Sequence, residues 1–286
     1  MKNLIKKAEN LIEALPYIQK FQDKTVVIKY GGNAMVNEDI LGLVLKDIAL
    51  LKYVGLKPVL VHGGGPAISE NLDRLGIKSR FHKGLRVTNQ QVMEVVKETL
   101  IGQVNTRIVD YAGLAGLKSI GLSGSDGSLI VARKYQPESG FDYGYVGEVA
   151  KINPEVIETM LAADYFPVIA PIGVDQAGNN YNINSDLVSG EVAAALGAEK
   201  LIILTNTNGI LSDPEEPTSR ISKLTPRSVD EMKDSGQIKG GMLPKVQACL
   251  QALANRVNRT HILDGRQEHA ILLEIFTDHG IGTMIK

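Results

Sequence analysis

Two lysines and a set of glycine-rich loops are the residues of this chain best suited to chemistry. Lys29 closes the apolar run Val26, Val27, Ile28 and is followed, after Tyr30, by Gly31 and Gly32. A lysine at a strand end ordinarily reaches water, and glycines ordinarily make turns. The same arrangement also suits a phosphate, because glycine lets backbone N–H groups approach an anion and a nearby ammonium neutralises it. Three further loops are of the same kind: "HGGGP" at 62–66, "GLSGSDG" at 121–127 and "KGGMLPK" at 239–245, the last with Pro244 and Lys245 in the first turn of a helix. None is a dinucleotide fingerprint, which would need glycine where Ile68 stands, and there is no Walker A pattern. Each loop alone is a weak signal. Together, at the strand ends of a parallel sheet, they predict a crevice with helix N-termini facing an anion. Lys29 and Lys245 could then flank a phosphoryl group in flight, a reaction that needs positioning and charge stabilisation above all.

The elements that must position these loops alternate along the chain. Strand-like runs lie at 25–30, 57–62, 117–122, 166–172, 200–205 and 260–263, most of them continuously apolar, as parallel strands covered on both faces are. Helical patterns lie between them at 38–54, 66–75, 89–112, 154–163, 185–196 and 243–255. This is an α/β layered sheet. The segment 128–151 reads as a β-hairpin, and the polar stretch 174–184 as the boundary between two lobes, 23–175 and 176–286. Residues 1–22 stand apart. Leu4, Ile5, Ala8, Leu11, Ile12 and Leu15 make one helical stripe, and Pro16 is expected to kink or end that helix.

Composition narrows the functional classes. The 286 residues carry a formal net charge of -1, with no basic or acidic tail, which argues against nucleic acid as a partner. No apolar run is long enough to span a bilayer, and the charged N-terminus does not read as a signal peptide. The single cysteine, Cys249, falls in an apolar helical pattern and reads as core, which fits a reducing compartment. The expected location is cytoplasmic, or a plastid stroma if the gene is organellar.

The motifs "KYGGNAM", "VHGGGP", "GLRVT", "NINSD", "LTNTNGIL", "KGGMLPK" and "DGRQEHAILLEIFTDHGIGTMI" resemble those of the amino-acid kinase superfamily, and most closely its N-acetylglutamate kinases, over essentially the whole length. The resemblance implies a three-layer αβα sandwich around a mainly parallel open sheet, in two lobes, with a kinked N-terminal helix added. It also implies phosphorylation of the γ-carboxylate of N-acetyl-L-glutamate by ATP, with Mg²⁺ carried by the nucleotide and no metal held by the protein. Lys29 and Lys245 would stabilise the transition state, with Asp186 holding both. Gly31, Gly32, Gly64 and Gly65 would offer N–H groups to phosphate and substrate. Arg86 would clamp the α-carboxylate, a task suited to a guanidinium fork, and Asn182 would bind the acetylated amino acid. Thr205, Gly209, Ile210, Leu211, Gly241 and Met242 would surround the nucleotide. The ordinary readings of these residues are an exposed arginine and, for Asp186, a helix cap. His62 reads as structural rather than catalytic. Two positions depart from the family pattern: Ser185 replaces an expected alanine, and Asn206 an aspartate.

The same resemblance implies arginine as a feedback inhibitor, bound by Tyr17, Lys200, His261, Glu274 and Gly280. It implies a hexamer, a trimer of dimers paired through the N-terminal helix, and, in relatives from oxygenic phototrophs, the signalling protein PII as a partner. Two competing readings stay open: another kinase of the superfamily acting on glutamate, aspartate, carbamate or a nucleotide, and a non-catalytic amino-acid sensor, which would have lost the lysines.

Overall fold

The continuously apolar runs become the interior of one sheet. The computed structural model describes residues 1–31, 37–213, 215–216, 218–277 and 280–286; Gly32 lies outside them. In chain order its strands are β1 (Thr25–Tyr30), β2 (Lys57–His62), β3 (Arg80–His82), β4 (Leu85–Val87), β5 (Ser119–Ser123), β6 (Ile130–Lys134), β7 (Gly147–Ile152), β8 (Phe166–Ala170), β9 (Ile172–Val174), β10 (Asn180–Asn182), β11 (Lys200–Thr205), β12 (Lys223–Leu224), β13 (Arg259–Asp264) and β14 (Thr283–Ile285). The helices are α1 (Lys2–Phe21), α2 (Glu38–Tyr53), α3 (Gly65–Arg74), α4 (Gln90–Lys97), α5 (Thr106–Leu114), α6 (Glu155–Ala162), α7 (Ser185–Ala195), α8 (Pro226–Asp234), α9 (Met242–Ala254) and α10 (Ala270–Ile275).

Among the described residues the main sheet has eight strands in the order β12-β14-β13-β11-β1-β2-β8-β5, parallel except where β14 runs against β13. Side chains alternate between its faces. Val27, Val59, Leu201 and Ile203 pack with α7 and α9 on one side, where Cys249 is fully buried. Val26, Ile28, Leu60, Ile202 and Leu204 pack with α2, α5 and α10 on the other. Both faces are therefore covered, which explains why these strands show no polar alternation. A smaller sheet, β10-β9-β6-β7, contains the expected antiparallel hairpin of β6 and β7.

Several elements differ from the sequence reading. The helix expected at 89–112 is three pieces: α4, a π-helix at Glu98–Asn105, and α5. Apolar periodicity cannot register a local change of helical pitch. Pro16 does not end α1, which runs on to Phe21. The polar stretch 174–184, expected as the boundary between two lobes, folds into the turn between β9 and β10 and delivers Asn182. One main sheet serves both expected lobes, with β1 paired to β2 on one side and to β11 on the other.

Candidate active site

The parallel strands β1, β2 and β11 end on one edge of the sheet, at Tyr30, His62 and Thr205. Lys29 reaches this edge yet is buried. Its ammonium lies 2.9 Å from Asp186 Oδ1, and Lys245 Nζ donates to Asp186 Oδ2 at 2.8 Å. Asp186 is free to do this because it is not the helix cap. Asn184 is the cap, and its side-chain oxygen accepts from the N–H groups of Asp186 and Leu187. The carboxylate, in the first turn of α7, therefore faces the lysines. Gly190 brings α9 close, since a Cβ there would stand 2.8 Å from the Ala248 carbonyl oxygen. This approach sets Lys245 against Asp186.

Electrostatics follow from the geometry. Burial pushes the Asp186 carboxyl up, but the ammoniums of Lys29 and Lys245 together hold it below the usual carboxylate range. Burial lowers the Lys29 pKa, with Asp186 opposing that effect and Lys245 adding to it. Two ammoniums on one carboxylate leave surplus positive charge. Gly31 leaves that charge open to a ligand, because a Cβ there would fall 2.3 Å from Lys29 Nζ.

Two clefts adjoin this triad. The first, about 380 Å³, is lined by Gly63, Gly64, Gly65, Arg86, Asn182 and Ser185 among others. Arg86, on β4, is buried and packs its guanidinium 4.6 Å from the centre of the Phe81 ring. It donates to Ser79 Oγ, to Ser69 Oγ at 2.8 Å and to the Gly65 carbonyl at 3.1 Å. Burial pushes its pKa down, against the opposing pull of Asp73. An incoming carboxylate would offset that cost. Asn182 donates to Thr88 Oγ1 at 3.3 Å, and Thr88 Oγ1 donates to the Arg86 carbonyl at 2.8 Å, so both substrate candidates share one hydrogen-bonded support.

The second cleft, about 330 Å³, is lined by Lys29, Gly31, Thr205, Asn206, Lys239, Gly241, Met242 and Lys245. Of the expected nucleotide residues it gathers Thr205, Gly241 and Met242. It does not gather Gly209, Ile210 and Leu211. Ile210 is buried and its N–H donates to Thr283 Oγ1 at 2.8 Å. A Cβ on Gly209 would stand 2.5 Å from that same oxygen, and Leu211 bridges to Arg220. Gly209 and Ile210 thus meet Thr283 of β14, and none of the three lines the cleft. Sequence reasoning also passed over Lys239, Ser69 and Ser79. Lys239 opens a glycine loop and was in plain view, whereas Ser79 meets Arg86 only across the β3–β4 hairpin and Ser69 only where α3 meets β4.

A third cavity, about 490 Å³, opens at the other edge of the sheet. Tyr17, Lys200, His261, Glu274 and Gly280 all line it, with Lys20, Arg220, Lys223 and Arg259. His261 Nδ1 lies 2.7 Å from Glu274 Oε1, and Glu274 Oε2 accepts from the Ile281 N–H at 2.9 Å. A Cβ on Gly280 would stand 2.7 Å from both carboxylate oxygens. Among the described residues no His, Cys, Asp and Glu cluster could hold a metal, and no helix is long and apolar enough to cross a membrane.

Residues 24–264 match the Amino acid kinase family. The acetylglutamate kinase of Caldicellulosiruptor saccharolyticus is 53% identical over 288 residues, covering 100% of this chain and 98% of that one. The acetylglutamate kinase of Moorella thermoacetica is 51% identical, over 98% and 97%. Among solved structures, N-acetylglutamate synthase from Neisseria gonorrhoeae complexed with coenzyme A and N-acetyl-glutamate superposes with a TM-score of 0.84 at 25% identity, over 97% of this chain and 63% of the synthase. The same synthase complexed with coenzyme A and L-arginine gives a TM-score of 0.81 at 25% identity, over 97% and 65%. With a family match over most of its length and relatives about half identical from end to end, the chain belongs to the amino acid kinase family.

Proposed function

We propose that this chain transfers the γ-phosphoryl group of ATP to the γ-carboxylate of N-acetyl-L-glutamate, giving ADP and N-acetyl-L-glutamyl 5-phosphate, a step of arginine biosynthesis. The observation that carries the reading is Asp186 bridging Lys29 and Lys245 beside two clefts. Full-length relatives of about half identity carry the name of this kinase, which favours its acceptor over others in the family. A free carboxylate, with a pKa of about 4.3, is ionised at neutral pH. No general base is needed. The difficulty is one anion attacking another, and the lysine pair offsets that repulsion at the reacting centre. Arg86 holds the α-carboxylate and Asn182 the N-acetylated end, while Thr205, Lys239, Gly241 and Met242 hold the nucleotide. Mg²⁺ enters as part of the substrate, bound to the ATP phosphates. The ammoniums of Lys29, Lys239 and Lys245, which line the second cleft, suit phosphate.

ADP release measured over N-acetyl-L-glutamate, glutamate, aspartate, carbamate and nucleotide acceptors tests this reading. Turnover should be far greatest with N-acetyl-L-glutamate. A different preferred acceptor would reassign the substrate, and no turnover with any of them would favour a sensor.

The third cavity supports a regulatory reading. A buried carboxylate at Glu274 suits a guanidinium, and Lys200 suits an α-carboxylate, so arginine fits this cavity as an inhibitor. A structural relative has been crystallised with L-arginine. On α1, Leu4, Leu11 and Ile12 are 65%, 75% and 68% exposed. Such a stripe is costly in water, which favours pairing with α1 of a second copy and a hexameric trimer of dimers.

A further inference from the structure

His62 ends β2, directly before the glycines of the substrate cleft, and it is fully buried. Its Nδ1 lies 2.7 Å from the Gly63 carbonyl oxygen, and its Nε2 lies 3.1 Å from Asn105 Nδ2. Asn105 Nδ2 also donates to the Val168 carbonyl at 2.9 Å. That second bond fixes the amide, because the opposite orientation would set two oxygens against each other. An amide nitrogen only donates, so His62 Nε2 must accept, and the ring proton must sit on Nδ1 and point at Gly63. An imidazolium would present a donor to Asn105. Burial, with the nearby Lys29 charge, lowers the His62 pKa to about 4 although its bond to Gly63 opposes this.

The Gly63 carbonyl shares a peptide plane with the Gly64 N–H, and in a trans peptide the two point in opposite directions. The N–H of Gly63 is itself tied to the Tyr30 carbonyl at 2.8 Å. Holding the Gly63 carbonyl therefore turns the Gly64 N–H away from His62, and Gly64 lines the cleft. Among the described residues that N–H has no backbone acceptor. The π-helix supplies the other half of the arrangement. It brings Asn105 so near that a Cβ on Gly121 would stand 2.0 Å from Asn105 Oδ1, and Leu100 so near that one on Gly64 would stand 2.3 Å from Leu100 Cδ2. Local π-turns recur at functional sites.

We propose that His62 and Asn105 are positioning residues for phosphoryl transfer: a neutral imidazole, protonated on Nδ1, locks the Gly63–Gly64 peptide so that the Gly64 N–H faces the charge developing on the transferred group. The inference rests on the reading that places Gly64 beside the reacting atoms. Two substitutions test it. His62→Asn keeps an amide nitrogen near the place of Nδ1 and so keeps the donor to Gly63. His62→Gln puts its amide near Nε2, keeps a partner for Asn105 and loses that donor. His62→Gln should lower kcat by at least about tenfold and up to about 10²-fold, as loss of a transition-state donor does, with both KM values within about threefold. His62→Asn should stay within about fivefold of wild type, although its smaller side chain leaves a cavity and a lower Tm. Activity retained in the less stable variant is not what a packing role produces. Equal losses that follow Tm, or wild-type kcat in His62→Gln, would overturn the assignment. Nitrogen-15 spectra of the ring should show the Nδ1–H tautomer from pH 5.5 to 8.5, and an imidazolium in that range would also overturn it. Lys29→Ala serves as the control. If it keeps its kcat, the reading of the whole site fails; if it loses kcat while His62→Gln does not, only the role of His62 fails.

Discussion

β11 begins at Lys200 and ends at Thr205, and each end opens into a charged cavity. At both ends a buried carboxylate meets basic side chains, but the two arrangements differ in kind. At the C-terminal edge Asp186 is held ionised between Lys29 and Lys245. At the N-terminal edge Glu274 is partnered by His261, which burial drives toward the neutral form despite the carboxylate beside it. Lys200 Nζ stands 3.3 Å from His261 Nε2, and burial lowers its pKa to about 8. The first site sets two lysines on one carboxylate, oriented before any ligand arrives. The second can change its charge near neutral pH. A fixed field suits stabilisation of a transition state, whereas a site whose charge can shift suits a ligand that biases one state over another.

Substitution at the fixed site should have the largest effects. Lys29→Ala and Lys245→Ala should each lower kcat by about 10²–10³-fold, in line with loss of one preorganised donor. KM should change less, because the charge is needed mainly in the transition state. Steady-state kinetics on variants with wild-type circular dichroism would check this, and near-normal kcat would remove that lysine from the chemistry. Arg86→Ala should act on binding. It should raise the KM for N-acetyl-L-glutamate by roughly 10–100-fold, the scale of a lost charge-assisted hydrogen-bond pair, and leave the KM for ATP nearly unchanged. Equal effects on both substrates would mean that Arg86 is assigned to the wrong task, and a rise confined to the KM for ATP would reverse the two clefts.

The fixed site was more legible in the sequence than its supports. Lys29 and Lys245 stood out because each adjoins a glycine loop at an element boundary. Local sequence states such placement directly, and the long strands follow from their continuous apolar runs. Asp186 was harder to read, because by residue type either it or Asn184 could cap α7, and the structure gives that task to Asn184. The Asn105–His62 contact was out of reach, since it depends on a π-turn in a run whose periodicity looked uniformly α-helical. The resemblance implies a nucleotide role for Gly209, Ile210 and Leu211, whereas the Ile210 N–H donates to Thr283, far along the chain. Short strands such as β12 and β14 carry too few residues to show any period.

Intermediate effects are expected at the second site. Glu274→Ala should raise the arginine concentration for half-inhibition at least about tenfold, since the guanidinium would lose its carboxylate partner. An unchanged inhibition curve would move arginine elsewhere. Removal of residues 1–20 takes away the exposed stripe of α1. Sedimentation should then show dimers in place of hexamers, with weakened inhibition. A full-length chain that sediments as a dimer would detach the stripe from assembly and leave the kinase reading intact.

The smallest expected effect concerns the charge of the second site. Lys200 has a pKa of about 8 in the folded chain against an ordinary 10.5. The folded state therefore binds this proton less well than the unfolded state. Stability from this group is fully present above about pH 10.5 and is lost as pH falls through 8. The limit of the effect is on the order of 3 kcal/mol, and for a chain of this size that is a Tm difference of several degrees. Lys200→Met keeps a long stem against Phe21, whose ring centre lies 5.0 Å from Nζ, but it cannot titrate. It also removes the donor to His261, a pH-independent cost of about 1 kcal/mol. The informative quantity is thus the slope and not the value at one pH. Between pH 7.5 and 10 the Tm of wild type should rise relative to that of Lys200→Met. Saturating arginine should shrink this difference, because its carboxylate beside Nζ favours the charged form. Parallel Tm curves for the two proteins would mean that Lys200 keeps an ordinary charge, and the second site would then not change its charge near neutral pH.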